Sequence, residues 1–377
     1  MGKALRVGFV GFGFIGKVHA YAHLNMPIFY DPPPLATTLA AVCTSRLGTA
    51  QAAQERFGFA RATDDFRAVT ESPDIDVVHI TSPNLFHRDH LLSALAAGKH
   101  VYCEKPLTVT LSEAREVERA LASYRGRHQM CLQNRFFPAT LRAKQLVEEG
   151  FLGQLLTFRA AYLHSGSADP QAPLRWKLDR GLGGGVLLDL GPHVIDLVRL
   201  LAGEFTEVLL ATSIAYPERP SATDRKRTVA VEAEDAALLL VRTRTGALGS
   251  IEASKVATGT EDELRFELHG SLGALRFNSM QPNYLEAYSR ADLEEPLGGT
   301  RGWKAIATVG RYPRPADFPG PKFATGWVRA HVACLHNFLS ALATGEKAEP
   351  GLEVGVRLQE ILDAAQRSAA SSRWVSC

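Results

Sequence analysis

The chain has 377 residues, of which 46% are hydrophobic and 22% charged, with a formal net charge of +2. That length exceeds one small core and predicts two domains of ordinary globular composition. The near-neutral balance, without runs of like charge, argues against a nucleic-acid or membrane-surface partner, and no stretch is long and apolar enough to span a bilayer.

The segment from Arg6 to Gly16 reads as a buried strand over 5–10 running into Gly11-Phe12-Gly13-Phe14-Ile15-Gly16, with a helix opening behind it. In this order the first glycine permits a tight turn, the second lets backbone approach a pyrophosphate, and the third lets helix and strand pack closely. Phosphates then meet the unpaired N–H groups and positive dipole end of the helix. A dinucleotide is therefore expected. The segment 27–34, with Pro32, Pro33 and Pro34 in a row, is expected to break the first helix and form a surface loop.

Strand and helix go on alternating. Strands are predicted over 39–43, 76–81, 99–103 and 129–132. Helices are predicted through Gln54 to near Gly58, and through Leu91 to Ala97, closed by Gly98. Thr110-Leu-Ser-Glu113 forms a capping box that opens another helix. Such alternation predicts a doubly wound, parallel Rossmann sheet. Past Asn134 the texture changes. A helix starts at Pro138 and closes at Gly150, and long strand-like segments follow over 155–164, 207–216, 229–242, 247–253, 264–268 and 274–277, several joined by tight turns. This predicts an α+β domain with a large, open antiparallel sheet, finished by helices over 328–342 and 352–370.

Five cysteines, Cys43, Cys103, Cys131, Cys334 and Cys377, are scattered without a C-x-x-C pair. A zinc site or disulfide frame is not expected, nor any metal; Cys43, Cys103 and Cys131, each at the end of an apolar run, read as small core residues in a reducing compartment. A strand begins almost at the first residue with no apolar leader before it, so the expected location is cytoplasmic.

Three groups carry chemistry. Thr81-Ser82-Pro83-Asn84-Leu-Phe-His87 and Glu104-Lys105-Pro106 each follow a strand, at the sheet end where open α/β folds hold ligands. Gly183-Gly-Gly-Val-Leu-Leu-Asp189-Leu-Gly-Pro-His193 opens a helix, and Asp189 and His193, four apart, share one face if both are helical. Asp189 reads equally well as a helix N-terminal charge. Gly183, Gly184 and Gly185 point to close backbone approach, His87 to packing near a cofactor, and Asp196 to a structural role. His164, His331 and His336 have no partner visible in sequence.

These motifs, with Gly98-Lys-His-Val-Tyr-Cys-Glu-Lys-Pro-Leu107 and Asn134-Arg-Phe-Phe-Pro138, give the chain a resemblance to the glucose–fructose oxidoreductase / inositol dehydrogenase / rhizopine-catabolism (Gfo/Idh/MocA) family over nearly its whole length. The resemblance implies a dinucleotide-binding domain over 1–134 and a substrate-binding, oligomerising domain over 135–377. It also implies hydride transfer between a nicotinamide and a sugar, polyol or related hydroxy/keto compound. Lys105 would bond the reacting oxygen, His193 would relay its proton, and Asp189 would polarise the site. Trp176-Lys177 falls where relatives often carry Trp-Arg, and would touch substrate without bidentate geometry. Gly11 to Gly16, Thr81 to Asn84, His87, Glu104 and Lys105 would line the cofactor. A homodimer or homotetramer is implied. Two alternatives stay open: a glycosidase that oxidises its sugar transiently on tightly held NAD, and a non-catalytic ligand sensor.

The second strand ends in Thr44-Ser45-Arg46 without the carboxylate that binds ribose hydroxyls in NAD enzymes. Arg46, helped by Ser45, could hold a 2′-phosphate, so NADP is favoured slightly over NAD. Capping of the next helix by Thr44 or Ser45 is the plainer role.

Overall fold

The computed structural model describes residues 4–309, 314 and 326–377. The chain divides into two compact units, Met1–Gln133 with Trp327–Gln359, and Asn134–Gly326 with Glu360–Cys377.

The first unit begins with β1 (Leu5–Val10), α1 (Phe14–Phe29), β2 (Thr37–Cys43), α2 (Leu47–Phe57), β3 (Arg61–Thr63), α3 (Arg67–Thr70), β4 (Val77–Ile80), α4 (His87–Ala96), β5 (His100–Glu104), α5 (Leu111–Leu121) and β6 (His128–Cys131). Its six strands are all parallel, in the order β3-β2-β1-β4-β5-β6, the doubly wound arrangement expected. Val7, Phe9 and Val10 of β1, and every residue of β4, are buried, as befits central strands covered on both faces. Gly58 ends α2 in the left-handed region at φ 77°. Thr110 caps α5: its hydroxyl accepts from Glu113 N–H at 3.3 Å, and the Glu113 carboxylate accepts from Thr110 N–H at 3.0 Å.

Two local expectations need correction. Pro27 lies inside α1, which breaks only at Tyr30. In the last turn a missing proline N–H forfeits one hydrogen bond, and the ladder closes with Tyr30 N–H on Met26 C=O at 2.9 Å. The short β3 and α3 went unforeseen because three or four residues give no period to read.

The second unit holds α6 (Pro138–Glu148), β7 (Leu155–His164), α7 (Val186–Asp189), α8 (Gly191–Ala202), β8 (Phe205–Ser213), β9 (Glu218–Pro220), β10 (Thr228–Ala230), β11 (Ala236–Thr243), β12 (Leu248–Ser254), β13 (Asp262–Gly270), β14 (Gly273–Asn278), β15 (Tyr284–Ser289) and β16 (Lys304–Ala307). The chain closes with α9 (Trp327–Thr344), α10 (Leu352–Ser371) and β17 (Val375–Ser376); α9 packs on α1 and β6 in the first unit. The segment read as one strand over 229–242 is two, β10 and β11. Between them Asp235 turns inward, fully buried, and accepts from Ala215 N–H at 3.0 Å.

The large sheet runs β16-β15-β14-β13-β7-β12-β11-β8-β17. It is mixed rather than purely antiparallel, because β7 and β12 pair in parallel. Hairpin signals fix the direction of consecutive strands, whereas β7 and β12 become neighbours only after the chain has left and returned. Helices α7 and α8 cover one face, with Val194, Ile195, Leu197, Val198 and Leu201 buried. Along β11, Ala237, Leu239 and Val241 face inward while Leu238, Leu240 and Arg242 face solvent, the period of two that half-burial dictates. Asp196 is structural, as read: buried in α8, it takes the Arg135 guanidinium, Nε to Oδ2 at 2.6 Å. Leaving either partner alone would strand a buried charge.

Thr110→Ala removes one half of the capping box while leaving the sheet untouched. Denaturant unfolding should show a loss of about 1 kcal/mol, with dinucleotide binding unchanged; a loss under about 0.3 kcal/mol would mean that solvent replaces the cap fully.

Candidate active site

In the first unit the glycine turn is built on close approach. Gly11 has φ 88°, and a Cβ there would lie 2.4 Å from Ser82 N; a Cβ on Gly16 would meet Gly11 O at 3.0 Å. Gly13 instead has no atom within 4 Å of where a Cβ would sit, and it is the N-cap of α1 with no side-chain cap. Phe12 turns away and packs on Phe9, Phe57 and Phe59. Phe14 is exposed and stacks on Trp327, and Ile15 is half-buried.

The loop after β4 is tied to this turn. Thr81 Oγ1 donates to Gly11 O at 2.6 Å, and Ser82 Oγ meets His90 Nδ1 at 3.0 Å. Pro83 caps the 3-10 turn Asn84–Phe86, in which Asn84 is buried. His87 bridges two loops: its Nδ1 lies 2.8 Å from Pro106 O and its Nε2 2.9 Å from Ser82 O. Burial pushes this imidazole below its usual value, against the pull of the two carbonyls.

Glu104 ends β5 and is buried; half-buried Lys105 follows, joined to Pro106 by a cis peptide. Burial alone would raise the Glu104 carboxyl. The His19 hydrogen bond, Nε2 to Oε1 at 3.0 Å, and the charges of His19, Lys105 and His331 bring it instead to about 2. Among the described residues His19, Glu104, Cys131 and His331 form one buried group whose donor atoms lie within 4.8 Å of one another. Its members bond internally, Cys131 Sγ lying 3.6 Å from His331 Nδ1.

At the end of β2, Thr44 Oγ1 donates to Arg46 O at 2.9 Å and meets Thr49 Oγ1 at 2.6 Å. The N-cap of α2 is Arg46 itself, without a side-chain cap, so neither Thr44 nor Ser45 caps that helix. Ser45 and Arg46 are exposed.

In the second unit Asp189 is the last residue of α7 and His193 lies in the first turn of α8. The backbone stays helical through Leu190 between them, which keeps the two side chains one turn apart. Two ammonium groups bracket the Asp189 carboxylate: exposed Lys177, with Nζ–Oδ2 at 3.1 Å, and buried Lys255, with Nζ–Oδ2 at 3.0 Å. Lys177 also lies over the half-buried Trp176 ring at 5.8 Å. The glycine run allows this closeness, since a Cβ on Gly184 would sit 2.6 Å from Trp176 O. Buried His193 meets Tyr162 edge-on, with ring centroids 5.7 Å apart. Tyr162 donates to Asp262 Oδ1 at 2.6 Å, and His164 Nε2 stands 3.2 Å from the same oxygen. Burial and then the Asp262 charge push the Tyr162 phenol well up.

Lys255 and Tyr162 were not foreseen. Lys255 follows a strand of ordinary pattern, and Tyr162 is one inward position among several on β7; no motif marks either.

Residues 5–130 match the GFO_IDH_MocA model, "Oxidoreductase family, NAD-binding Rossmann fold", and residues 144–377 match "Oxidoreductase family, C-terminal alpha/beta domain". A levoglucosan dehydrogenase of Pseudarthrobacter phenanthrenivorans is 34% identical, over 98% of this chain and 97% of its own. An inositol 2-dehydrogenase of Rhizobium meliloti is 27% identical, over 99% of each. The solved structure of levoglucosan dehydrogenase with NADH and levoglucosan superposes with a TM-score of 0.94 at 34% identity, covering 99% of each chain. The strand–glycine–helix entry, the Glu104-Lys105-Pro106 strand end and the Asp189–His193 turn thus occur in a chain that belongs to the Gfo/Idh/MocA family of NAD(P)-dependent oxidoreductases.

Proposed function

We propose that this enzyme transfers a hydride between a CH–OH carbon of a sugar or polyol and a nicotinamide dinucleotide held by the first unit, the second unit binding the sugar. The observation that carries the reading is the bracketed Asp189 carboxylate with His193 one turn on. Ammonium and carboxylate groups gathered in this way suit a polyhydroxylated ligand, whose hydroxyls both donate and accept. The cofactor supplies the hydride acceptor. Loss of the carbon-bound hydride leaves the hydroxyl proton to be taken up, and the His193 imidazole receives it. Lys105 steadies the oxygen as negative charge develops on it. Asp189 orients hydroxyls through its two lysines, and Trp176 with Lys177 forms the outer wall.

Levoglucosan is the first compound to assay, since the similar enzymes are named for it. Exposed Arg46 supports NADP, whereas NADH in the levoglucosan dehydrogenase structures supports NAD; we take the enzyme to accept both, with NADP slightly preferred. Self-association through the outer sheet face, where Leu238, Leu240 and Leu248 are exposed, is our reading of its assembly.

Lys105→Ala should lower kcat by about 10²-fold or more, with cofactor affinity within about twofold of wild type, measured by initial rates and fluorescence titration. Retained turnover would remove Lys105 from the chemistry. Arg46→Ala should weaken NADPH binding by roughly tenfold or more, the scale of a lost charge-assisted hydrogen bond, and leave NADH binding unchanged. Tighter binding of NADH than NADPH by the unaltered enzyme would overturn the cofactor preference.

A further inference from the structure

Three histidines of the first unit form an unbroken chain that the proposed reaction leaves unused. From Glu104 Oε1 it runs to His19 Nε2 at 3.0 Å, from His19 Nδ1 to His79 Nδ1 at 3.0 Å, from His79 Nε2 to His23 Nε2 at 2.9 Å, and from His23 Nδ1 to Thr37 Oγ1 at 3.0 Å. All three imidazoles are buried, and the ring of Phe9 stacks on His79 at 4.6 Å. One end is the last residue of β5, next to Lys105. The other is the first residue of β2, half-exposed, at the opposite end of its sheet.

We propose that Thr37, His23, His79 and His19 are a buried proton relay between water at the start of β2 and the His19–Glu104 pair, and so act as positioning residues for Lys105, whose backbone N–H donates to Glu104 Oε2 at 3.2 Å. The role given to Lys105 rests on the function proposed above; the relay itself rests on the four contacts.

Hydrogen-bond logic leaves few choices. A neutral imidazole has one N–H and one lone pair, and each nitrogen-to-nitrogen contact needs one of each. With Glu104 ionised and His19 neutral, His19 donates from Nε2, His79 from Nδ1, His23 from Nε2, and the Thr37 hydroxyl donates to His23. A proton entering from water at Thr37 shifts the line. The Thr37 proton moves to His23 Nδ1 and is replaced from water, the His23 Nε2 proton moves to His79 Nε2, and the His79 Nδ1 proton moves to His19 Nδ1. His19 is then an imidazolium paired with the Glu104 carboxylate. One proton has entered: Thr37, His23 and His79 have each broken one O–H or N–H bond and formed another, and His19 has gained one N–H. The reverse sequence returns the proton to water. Burial, and then the neighbouring histidine charges, push His23 down to about 3 and His79 well below its usual value, which favours the neutral form of both.

In both states His79 and His23 carry unlike tautomers. Nitrogen-15 spectra of histidine-labelled enzyme near neutral pH test this without reference to turnover. Unlike, neutral tautomers at His79 and His23 are expected; like tautomers, or a cationic His79, would overturn the relay. His79→Gln keeps hydrogen-bonding capacity but cannot pass a proton through. In folded variant protein, checked by its thermal midpoint and NADH binding, kcat should fall by about tenfold or more, with KM unchanged and the solvent deuterium isotope effect on kcat altered. Wild-type kcat and isotope effect in that variant would also overturn it. Failure of the wider functional reading looks different: Lys105→Ala would keep its activity whatever the tautomers.

Discussion

The first unit is organised around one buried carboxylate. Glu104 stands buried at the end of β5, where a carboxylate without hydrogen-bond partners would be costly. Its partner, His19, comes from the helix that opens with the glycine turn, so the hydrogen bond that satisfies Glu104 also fixes the rotation of α1 against β5. That rotation sets the N-terminal end of α1 near the end of β5, which Lys105 follows. His87 then ties the loop carrying Lys105 and Pro106 to the loop after β4. A dinucleotide site and a candidate catalytic lysine thus share one electrostatic anchor.

The second unit solves a similar problem with opposite signs. Lys255 is a buried cation, and Asp189 pairs with it while Lys177 approaches from the exposed side. Close approach of backbone at Gly184 brings the segment around Trp176 and Lys177 up to the start of α7. The wide sheet supplies rigidity: β12 delivers Lys255, β7 delivers Tyr162, and α8, packed on the same face, delivers His193. Side chains set on strands and helix ends hold their geometry better than side chains on loops.

Much of this was legible in sequence because it is local. A strand, three glycines and a helix follow one another in the order that dinucleotide binding needs, Thr110 and Glu113 lie at capping distance, and Asp189 and His193 are one helical turn apart although the helix restarts at Gly191. What escaped is non-local. Lys255 meets Asp189 because α7 packs on β12, just before Lys255, a contact that no local pattern announces. His23 and His79 look like an unremarkable helix residue and strand residue until the sheet sets α1 beside β4. His164, without a visible partner in sequence, finds Asp262 across the β7–β13 pair. Pro27 misled for the opposite reason: its local rule is real, but a helix near its end tolerates it.

The central claim is that hydrogen leaves a sugar carbon directly for the nicotinamide ring. Its most direct test follows the isotope: the best substrate from a panel of sugars and polyols, deuterated at the reacting carbon, is turned over and the reduced cofactor analysed by mass spectrometry. The account predicts one deuterium in each reduced nicotinamide formed. Deuterium released to water, or product formed with no reduced cofactor accumulating, would contradict it.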